Sequence, residues 1–267
     1  MPELSSLLPL LAAAALVAAL LAWLGVFAVL RRMAFVADGI AHVSLAGVAV
    51  GVLTHNHPLA TALLFSLAVG TAVYFLEQNT TLPVDAIITV LFTGSLALGI
   101  LVMSRSGEEL EVLEATLFGD LRTVGGREAV AMVSLALAVG AYLTRIYRQL
   151  ALLTFDRATA YVAGVNVKRL ELTFYLMMVV TIVLGVNVLG VLLVSALMVI
   201  PASAAKLVSR TFHGAIAFAI AFAVLIMLAG VPLAYVYDLP PGALVAVAGI
   251  ILFTFMVGVH RFAMVRR

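Results

Sequence analysis

Long apolar runs separated by short polar stretches occupy the chain from end to end. Each run is close to the roughly 20 residues that an α-helix needs to cross a bilayer. Pro201, near the end of the seventh run, is expected to kink or break that helix. The pattern therefore predicts an all-α, polytopic transmembrane helical bundle with eight or nine spans. The runs are 7–30, 33–53, 59–76, 84–103, 129–147, 170–186, 188–208, 215–235 and 242–259.

Composition agrees with a protein that lies mostly in lipid. Hydrophobic residues make up 65% of the 267 residues and charged residues only 10%, whereas soluble domains carry about 25% charged residues. The mean hydropathy is +1.24. No polar block is large enough to fold separately, so one transmembrane domain over residues 1–267 is predicted. Cysteine is absent from the sequence, which excludes disulfides and thiolate metal sites.

Basic residues concentrate on alternate connectors, and this predicts the orientation of the chain. With nine spans and Arg31 on the cytoplasmic side, twelve lysines and arginines fall inside and three outside. Because positive charge is retained on the cytoplasmic side, the N-terminus is predicted outside and the C-terminus inside. The inside set is Arg31, Arg32, Arg145, Arg148, Arg157, Lys168, Arg169, Lys206, Arg210, Arg261, Arg266 and Arg267, and the outside set is Arg105, Arg122 and Arg127.

The second run contains an aspartate and a histidine in an otherwise apolar helix. Asp38 and His42 are four residues apart and therefore share a helix face, while Gly47 and Gly51 fall on the opposite side. Counted from Arg32 at the membrane edge, His42 lies roughly 15 Å deep, near the middle of a bilayer. Ionisable residues at that depth are costly and are by default functional. The pair is therefore a candidate metal-binding pair; the alternative is an internal bond that pins neighbouring helices.

Three further polar features are candidates for a pathway or a surface. His55 and His57 lie in a turn that is predicted outside, where they either capture metal or are simply solvated. Asp85 begins the fourth run, where it either lines the pathway or caps its helix after Pro83. The extracytoplasmic connector 104–127 is rich in glutamate, including Glu108, Glu109, Glu111 and Glu114, and either receives a delivery protein or is a solvated surface.

The chain lacks any phosphate-binding loop of the G-x-x-x-x-G-K-[ST] type, so ATP would have to be bound by a partner. The longest inside connector, 145–169, offers a surface for such a partner. Within it, a short amphipathic helix is predicted over residues 154–165, with a stop at Gly164; the alternative is a plain interfacial helix. Its apolar positions recur at helical spacing and are Phe155, Ala158, Val162 and Val165.

Several of these segments together resemble the ABC-3 metal-ion permeases, the membrane subunits of bacterial importers. The run DGIAHVSLAGVAVG at 38–51 is similar to the motif of that family. Asp85 at the start of an apolar helix, LFGD at 117–120 and the stretch 155–165 also match. The run GVLLVSALMVIPA at 190–202 completes the set, and these segments follow one another in the family's order.

The resemblance implies a transporter subunit that is not itself an enzyme, in the bacterial inner membrane. It implies a homodimer with two cytoplasmic ABC ATPase subunits, which alone bind ATP, and an extracytoplasmic metal-binding protein that delivers the ion. No permanent cofactor and no nucleic acid are expected. Asp38 and His42 would contact the metal. Residues 150–168 would form the cytoplasmic coupling segment, with Phe155, Asp156, Val162 and Gly164 facing the ATPase.

The residues around His42 also resemble one branch of the family. The pattern A-H-x-S-L-x-G, here with Ala41, Ser44 and Leu45, is similar to the zinc branch, whereas manganese and iron members more often read S-H-A-V-L-P-G. Zinc is therefore the first expected cargo, and manganese or iron comes next. Ala37 departs from the glycine that zinc members often carry, which removes no ligand.

Two other classes of function use the same residues. An ion-coupled secondary transporter or a channel for a divalent cation would also place Asp38 and His42 in a pathway, but without an ATPase. A membrane-embedded metalloenzyme would need a third ligand and a base, and the chain has no H-E-x-x-H motif.

Overall fold

A computed structural model describes residues 4–103, 126–237 and 239–265, and within these ranges the chain forms α-helices and no strand. Nine of the described helices are long and apolar enough to span a bilayer, and α6 has only six residues. The helices are α1 (Leu4–Leu30), α2 (Phe35–Leu53), α3 (Pro58–Asn79), α4 (Val84–Met103), α5 (Gly126–Phe155), α6 (Arg157–Val162), α7 (Val167–Leu189), α8 (Val191–Val208), α9 (Phe212–Val236) and α10 (Pro241–Val265).

This architecture confirms the predicted all-α transmembrane bundle. Pro201 does not break its helix, because α8 passes through it and continues to Val208; the break lies instead at Gly190, near the start of the seventh run. Proline removes one backbone hydrogen bond, which neighbouring helices and local adjustments can make good in a membrane protein. Only Gly190 separates α7 from α8. Its φ of 79° is a conformation that glycine alone adopts without strain, so it permits this abrupt turn.

The fifth span differs from its predicted length. Helix α5 continues past residue 147 to Phe155, so Arg145 and Arg148 lie on a helix and not in a connector. Arginine is a good helix former, and a helix that leaves the apolar layer has no reason to stop at the first basic residue. The predicted helix over residues 154–165 is also wrong in its bounds. The chain breaks at Asp156, where φ is −153°, and α6 begins at the next residue.

A buried polar cluster shows that several connectors meet at one end of the bundle. Arg31 follows α1, Gln78 is close to the end of α3, Arg157 begins α6, and Glu171 lies in the first turns of α7. Their side chains contact one another at 3.0–3.5 Å. The α1–α2, α3–α4 and α5–α7 connectors therefore share an end. This is the arrangement expected when successive spans alternate in direction.

Helix α2 lies at the centre of one half of the bundle because glycines let its neighbours approach closely. A methyl group on Gly47 would lie 2.5 Å from the Cα of Ala62 in α3. A methyl group on Gly39 would collide with Ile88 in α4, and one on Gly51 would collide with Thr61 in α3. The small-residue face predicted for this helix is therefore its packing face, as is usual between membrane helices.

This packing predicts that alanine at Gly47 destabilises the fold. The added methyl group meets the backbone of α3, which cannot move aside as a side-chain end can, so we expect a loss of about 1–3 kcal/mol in unfolding free energy. Thermal unfolding in detergent measures it. Gly140→Ala is the matched control, because no atom lies within 4 Å of the added methyl group there. Equal midpoints for the two variants would contradict the packing argument.

The shared end of the connectors predicts where single cysteines become labelled. Asn56 lies in the exposed α2–α3 turn and Ala163 in the exposed turn after α6, at opposite ends of the bundle. Since the chain has no cysteine of its own, Asn56→Cys and Ala163→Cys can be labelled without background. A membrane-impermeant maleimide should reach residue 56 from outside the cell and residue 163 only after the membrane is opened. The reverse pattern, or labelling of both from outside, would refute the orientation.

Candidate functional site

The corner between α1 and α2 sets the start of the candidate site. Arg32 has a φ of 58°, which an arginine rarely adopts. The Met33 N–H donates to the Ala28 carbonyl at 2.8 Å and the Arg32 N–H to the Val29 carbonyl at 3.3 Å, which is the hydrogen-bond pattern of a Schellman cap. Helix α2 therefore begins at Phe35, two residues later than the sequence predicts. At this corner the chain reverses, and the first turn of α2 runs back into the bundle.

Asp38 lies in that first turn and is held from another helix. Its side chain is 40% exposed. The Ser195 hydroxyl of α8 donates a hydrogen bond to Asp38 Oδ1 at 3.2 Å. Ser195 therefore links α8 to α2. A carboxylate can accept several hydrogen bonds or bind a cation. With one serine as donor, the Asp38 carboxylate can therefore still accept further hydrogen bonds or bind a cation.

His42 lies one turn further along the same face. Its Nδ1 is 2.9 Å from the backbone carbonyl of Asp38 and 3.7 Å from the Asp38 carboxylate. Because a carbonyl oxygen can only accept, Nδ1 carries the proton, and in the neutral ring the lone pair is then on Nε2. Histidines that bind metal are commonly fixed in this way through their other nitrogen. The midpoint of α2 is Ser44, so His42 lies close to the middle of the helix.

Two neighbouring helices form the walls of a groove around this pair. The ring of Phe92 in α4 meets His42 edge-on at 4.9 Å and Phe35 at 6.4 Å. Ser195 of α8 lies on the other side of Asp38. The groove is open between these walls, since the His42 side chain is 21% exposed and that of Asp38 is 40% exposed. Asp38 and His42 thus lie together on one face as predicted, and both side chains remain partly exposed.

A single chain supplies few metal ligands at this site. In the three described ranges, no group of three or more His, Asp or Glu side chains is placed to hold an ion together. The donors here are one carboxylate and one imidazole. Ser44, part of the zinc-like pattern, is buried, and its hydroxyl donates to the Ala41 carbonyl at 2.6 Å. It therefore takes part in helix packing and is not a ligand in this arrangement.

The other predicted pathway residues lie apart from the pair. His55 has a φ of 53° and, with exposed His57, forms the α2–α3 turn, about 20 Å along α2 from His42. Asp85 is exposed in the first turn of α4, one turn before Ile88, which packs on Gly39. Neither histidine nor Asp85 is brought to Asp38. The glutamate-rich connector 104–127 lies outside the described residues up to position 125.

The predicted coupling segment is a short helix with well-defined ends. Asp156 caps α6, accepting hydrogen bonds from the Thr159 hydroxyl and from the Ala158 N–H at 2.9 Å. The Thr159 hydroxyl above all, with the backbone N–H groups, lowers the pKa of the Asp156 carboxyl, so the cap is complete near neutral pH and is lost as acid protonates it. Gly164, with a φ of 79°, ends the turn as predicted.

The predicted apolar positions of this segment are divided between two helices, although Ala158 and Val162 share an exposed face of α6. Phe155 is the last residue of α5, and its ring meets Phe212 of α9 edge-on at 5.3 Å. On α6 itself, Ala160 is fully buried, whereas Tyr161 is 75% and Val162 is 85% exposed. The exposed apolar surface of α6 is thus formed by Tyr161 and Val162. Beside it lies an open cleft of about 760 Å³ with Arg157 and Lys168 at its wall.

Sequence reasoning missed Glu171, the most buried charged side chain of this end, at 4% exposure. Its Oε2 accepts hydrogen bonds from Arg157 and Gln78, both at 3.0 Å, and its Oε1 lies 3.5 Å from Arg31. The sequence alone could have singled out Glu171, because it is the one acidic residue in the long apolar helix α7. A carboxylate in a membrane helix is a functional candidate by default.

Fold and site together define a class: a polytopic helical membrane protein with a carboxylate–imidazole pair in an open groove and a short helix at one end. The family model described as the ABC 3 transport family matches residues 3–260. The chain therefore belongs to the ABC 3 transport family, and the resemblance drawn from the motifs is confirmed.

Relatives with assigned names cover most of this chain. It is 28% identical over 230 residues to the high-affinity zinc uptake system membrane protein ZnuB of Haemophilus influenzae, covering 86% of this chain and 88% of that protein. It is also 28% identical over 243 residues to the manganese transport system membrane protein MntC of Halalkalibacterium halodurans, covering 91% and 83%. Zinc and manganese systems are thus matched at the same identity.

A solved structure shows the same fold. The chain superimposes on one from PsaBC of Streptococcus pneumoniae in complex with Fab, with a TM-score of 0.82. The match covers 94% of this chain and 90% of that chain at 22% sequence identity. At this identity the likeness establishes the helical architecture and carries no conclusion about the cargo.

Proposed function

We propose that this chain is the membrane permease subunit of an ATP-driven importer of divalent transition-metal ions in the bacterial inner membrane. Zinc is the first candidate cargo, followed by manganese and iron. The observation that carries the proposal is the Asp38–His42 pair in an open groove near the middle of α2, with Nδ1 of the histidine fixed by a backbone carbonyl. The named zinc and manganese relatives support a metal as cargo.

The proposal includes a second copy of the chain. One groove offers a carboxylate and an imidazole, and zinc without thiolates prefers four nitrogen or oxygen ligands. Two grooves facing each other across a twofold axis would offer two of each. The open sides of Asp38 and His42 support this arrangement, because their exposed surface is directed away from the helices of their own chain.

Removing either donor should abolish metal uptake while the protein still folds. We expect Asp38→Asn and His42→Ala to lose uptake, since each deletes one of the two donors that the described residues offer in the groove. Ser195→Ala, which frees Asp38 Oδ1 but leaves both donors, should lower uptake at limiting metal by about tenfold. Accumulation of zinc, manganese and iron is measured separately for each variant.

Ser44→Ala is the matched control, because its hydroxyl lies two residues from His42 but is buried in helix packing. It should retain uptake and the same choice of metal. Uptake of all three metals at the wild-type level in both Asp38→Asn and His42→Ala would refute the pathway. Uptake that persists when every ABC ATPase partner is absent would instead favour a secondary transporter or a channel.

The proposal places the ATPase at α6. The chain has no phosphate loop, so energy has to enter through a contact with the ATPase, and Tyr161 and Val162 present apolar surface with no cover among the described residues. The adjacent cleft, with Lys168 at its wall, enlarges that surface. On the opposite side, we propose that an extracytoplasmic metal-binding protein docks on connector 104–127, on the evidence of its acidic sequence.

Charged residues on the exposed face of α6 should separate the permease from its ATPase. We expect Tyr161→Asp with Val162→Asp to reduce co-purification of the ATPase and to stop uptake, because burying an unpaired carboxylate in an apolar contact is costly. Tyr237→Asp is the control: Tyr237 is 66% exposed, a comparable apolar side chain, but lies at the other end of the bundle. Full co-purification and uptake in the double variant would exclude α6 as the contact.

A further inference from the structure

The buried cluster around Glu171 joins segments that are far apart in the chain. Through Arg157 it reaches the first residue of α6, and through Arg31 it reaches the corner that precedes α2. Gln78 links the same carboxylate to the end of α3, and it also accepts a hydrogen bond from Arg157 at 3.2 Å. One carboxyl group therefore connects the proposed ATPase contact to the helix that carries Asp38 and His42.

The carboxylate is the counter-ion that both arginines require. The Arg31 side chain is only 12% exposed; its guanidinium lies over the Phe174 ring at 5.3 Å, and its Nη1 is buried without a hydrogen-bond partner in the described chain. Glu171 itself is 5% exposed at the side chain. Charges at such depth are held in place, because separating one from its partner leaves the other uncompensated in a medium of low dielectric.

Arg157 differs from Arg31 in its environment. Its side chain is 57% exposed and belongs to a six-residue helix that rests on the bundle through buried Ala160. Besides its backbone connections to α5 and α7, α6 makes polar contacts with the spanning helices through one side chain in the described structure. These are the hydrogen bonds of Arg157 with Glu171 and Gln78. Besides the backbone connections and the packing of Ala160, this side chain is therefore the route by which a displacement of α6 reaches Glu171.

Two rigid routes lead from the cluster to the groove. Arg31 is bonded into the Schellman corner, whose tight geometry precedes Phe35, and Asp38 follows one turn later. Gln78 lies on α3, which packs without free space against Gly47 and Gly51 of α2. Packed elements of this kind move as bodies, because their contacts have little room for continuous deformation.

We propose that Glu171 is a positioning residue for transport, which transmits displacement of α6, through Arg157, to the α1–α2 corner and hence to Asp38 and His42. This inference rests on the proposed function, since it assumes that the ATPase acts on α6 and that metal passes the groove. It assigns Arg157 to transmission and not to docking, because the exposed docking surface is formed by Tyr161 and Val162.

The test measures metal transported per ATP hydrolysed by the permease–ATPase complex in proteoliposomes. Arg157→Gln leaves the buried Arg31–Glu171 pair intact, so the fold should persist, with the ATPase bound and ATP hydrolysed. The ratio of metal to ATP should fall by about tenfold, a usual size for coupling between sites. Arg157→Lys keeps the charge and should recover part of the ratio. Arg169→Gln, an exposed arginine two residues before Glu171 without a side-chain partner in the described structure, should leave the ratio unchanged.

The outcomes separate the two proposals. A wild-type ratio in Arg157→Gln overturns the transmission role, and so does loss of the ATPase from that variant, since Arg157 would then be a docking residue. An equal fall of the metal-to-ATP ratio in Arg169→Gln overturns the transmission role as well, because the loss of any nearby basic charge would then explain the fall. If the wild-type complex transports no metal, or transports it equally with Asp38→Asn, the proposed function itself fails. Zinc binding to the purified complex should be unchanged in Arg157→Gln and lost in Asp38→Asn.

Discussion

The cost of placing a carboxylate among apolar helices is the constraint on which this structure depends. Glu171 and Asp38 meet it in opposite ways. Glu171 is almost fully buried and is surrounded by two guanidinium groups and an amide. Asp38 has one serine hydroxyl as its donor and remains 40% exposed. A buried charge without compensation is unstable, so the first group is satisfied by its own chain. The second remains able to bind a cation that arrives from outside the chain.

Glycines on α2 determine which of its side chains stay exposed. Because Gly39, Gly47 and Gly51 admit α4 and α3 to the backbone of α2, this helix is enclosed on most sides and one strip stays open. Asp38 and His42 are on that strip. The same close packing holds α3 tightly against α2. The position of Gln78, near the end of α3, is therefore fixed relative to the groove. The glycines that allow dense packing therefore also determine which side chains an ion can reach.

Much of the bundle could be predicted from sequence, because hydrophobic length alone specifies a membrane helix. The nine spans found among the described residues, the stop at Gly164 and the shared face of Asp38 and His42 follow from patterns within about 20 residues. The break at Asp156 could not be predicted in the same way, since an aspartate that caps α6 looks like a polar residue on a longer helix. Contacts between residues that are far apart in sequence could not be predicted either: Ser195 is 157 residues from Asp38, and Gln78 is 93 residues from Glu171.

Selectivity for one metal has to arise from geometry in this arrangement. The residue types near His42 lean towards zinc, yet Ser44 is turned into the packing of α2, and relatives named for zinc and for manganese match equally well. Under the proposed function, each chain would contribute one oxygen donor and one nitrogen donor, whichever metal is carried. Zinc favours four ligands in a tetrahedron, whereas manganese favours six and accepts water among them. Under the proposed homodimer, the distance between the two grooves decides how much water stays on the ion. Within each chain, α4 and α8 form the walls of the groove, so under this proposal selectivity belongs to those walls as much as to the ligands.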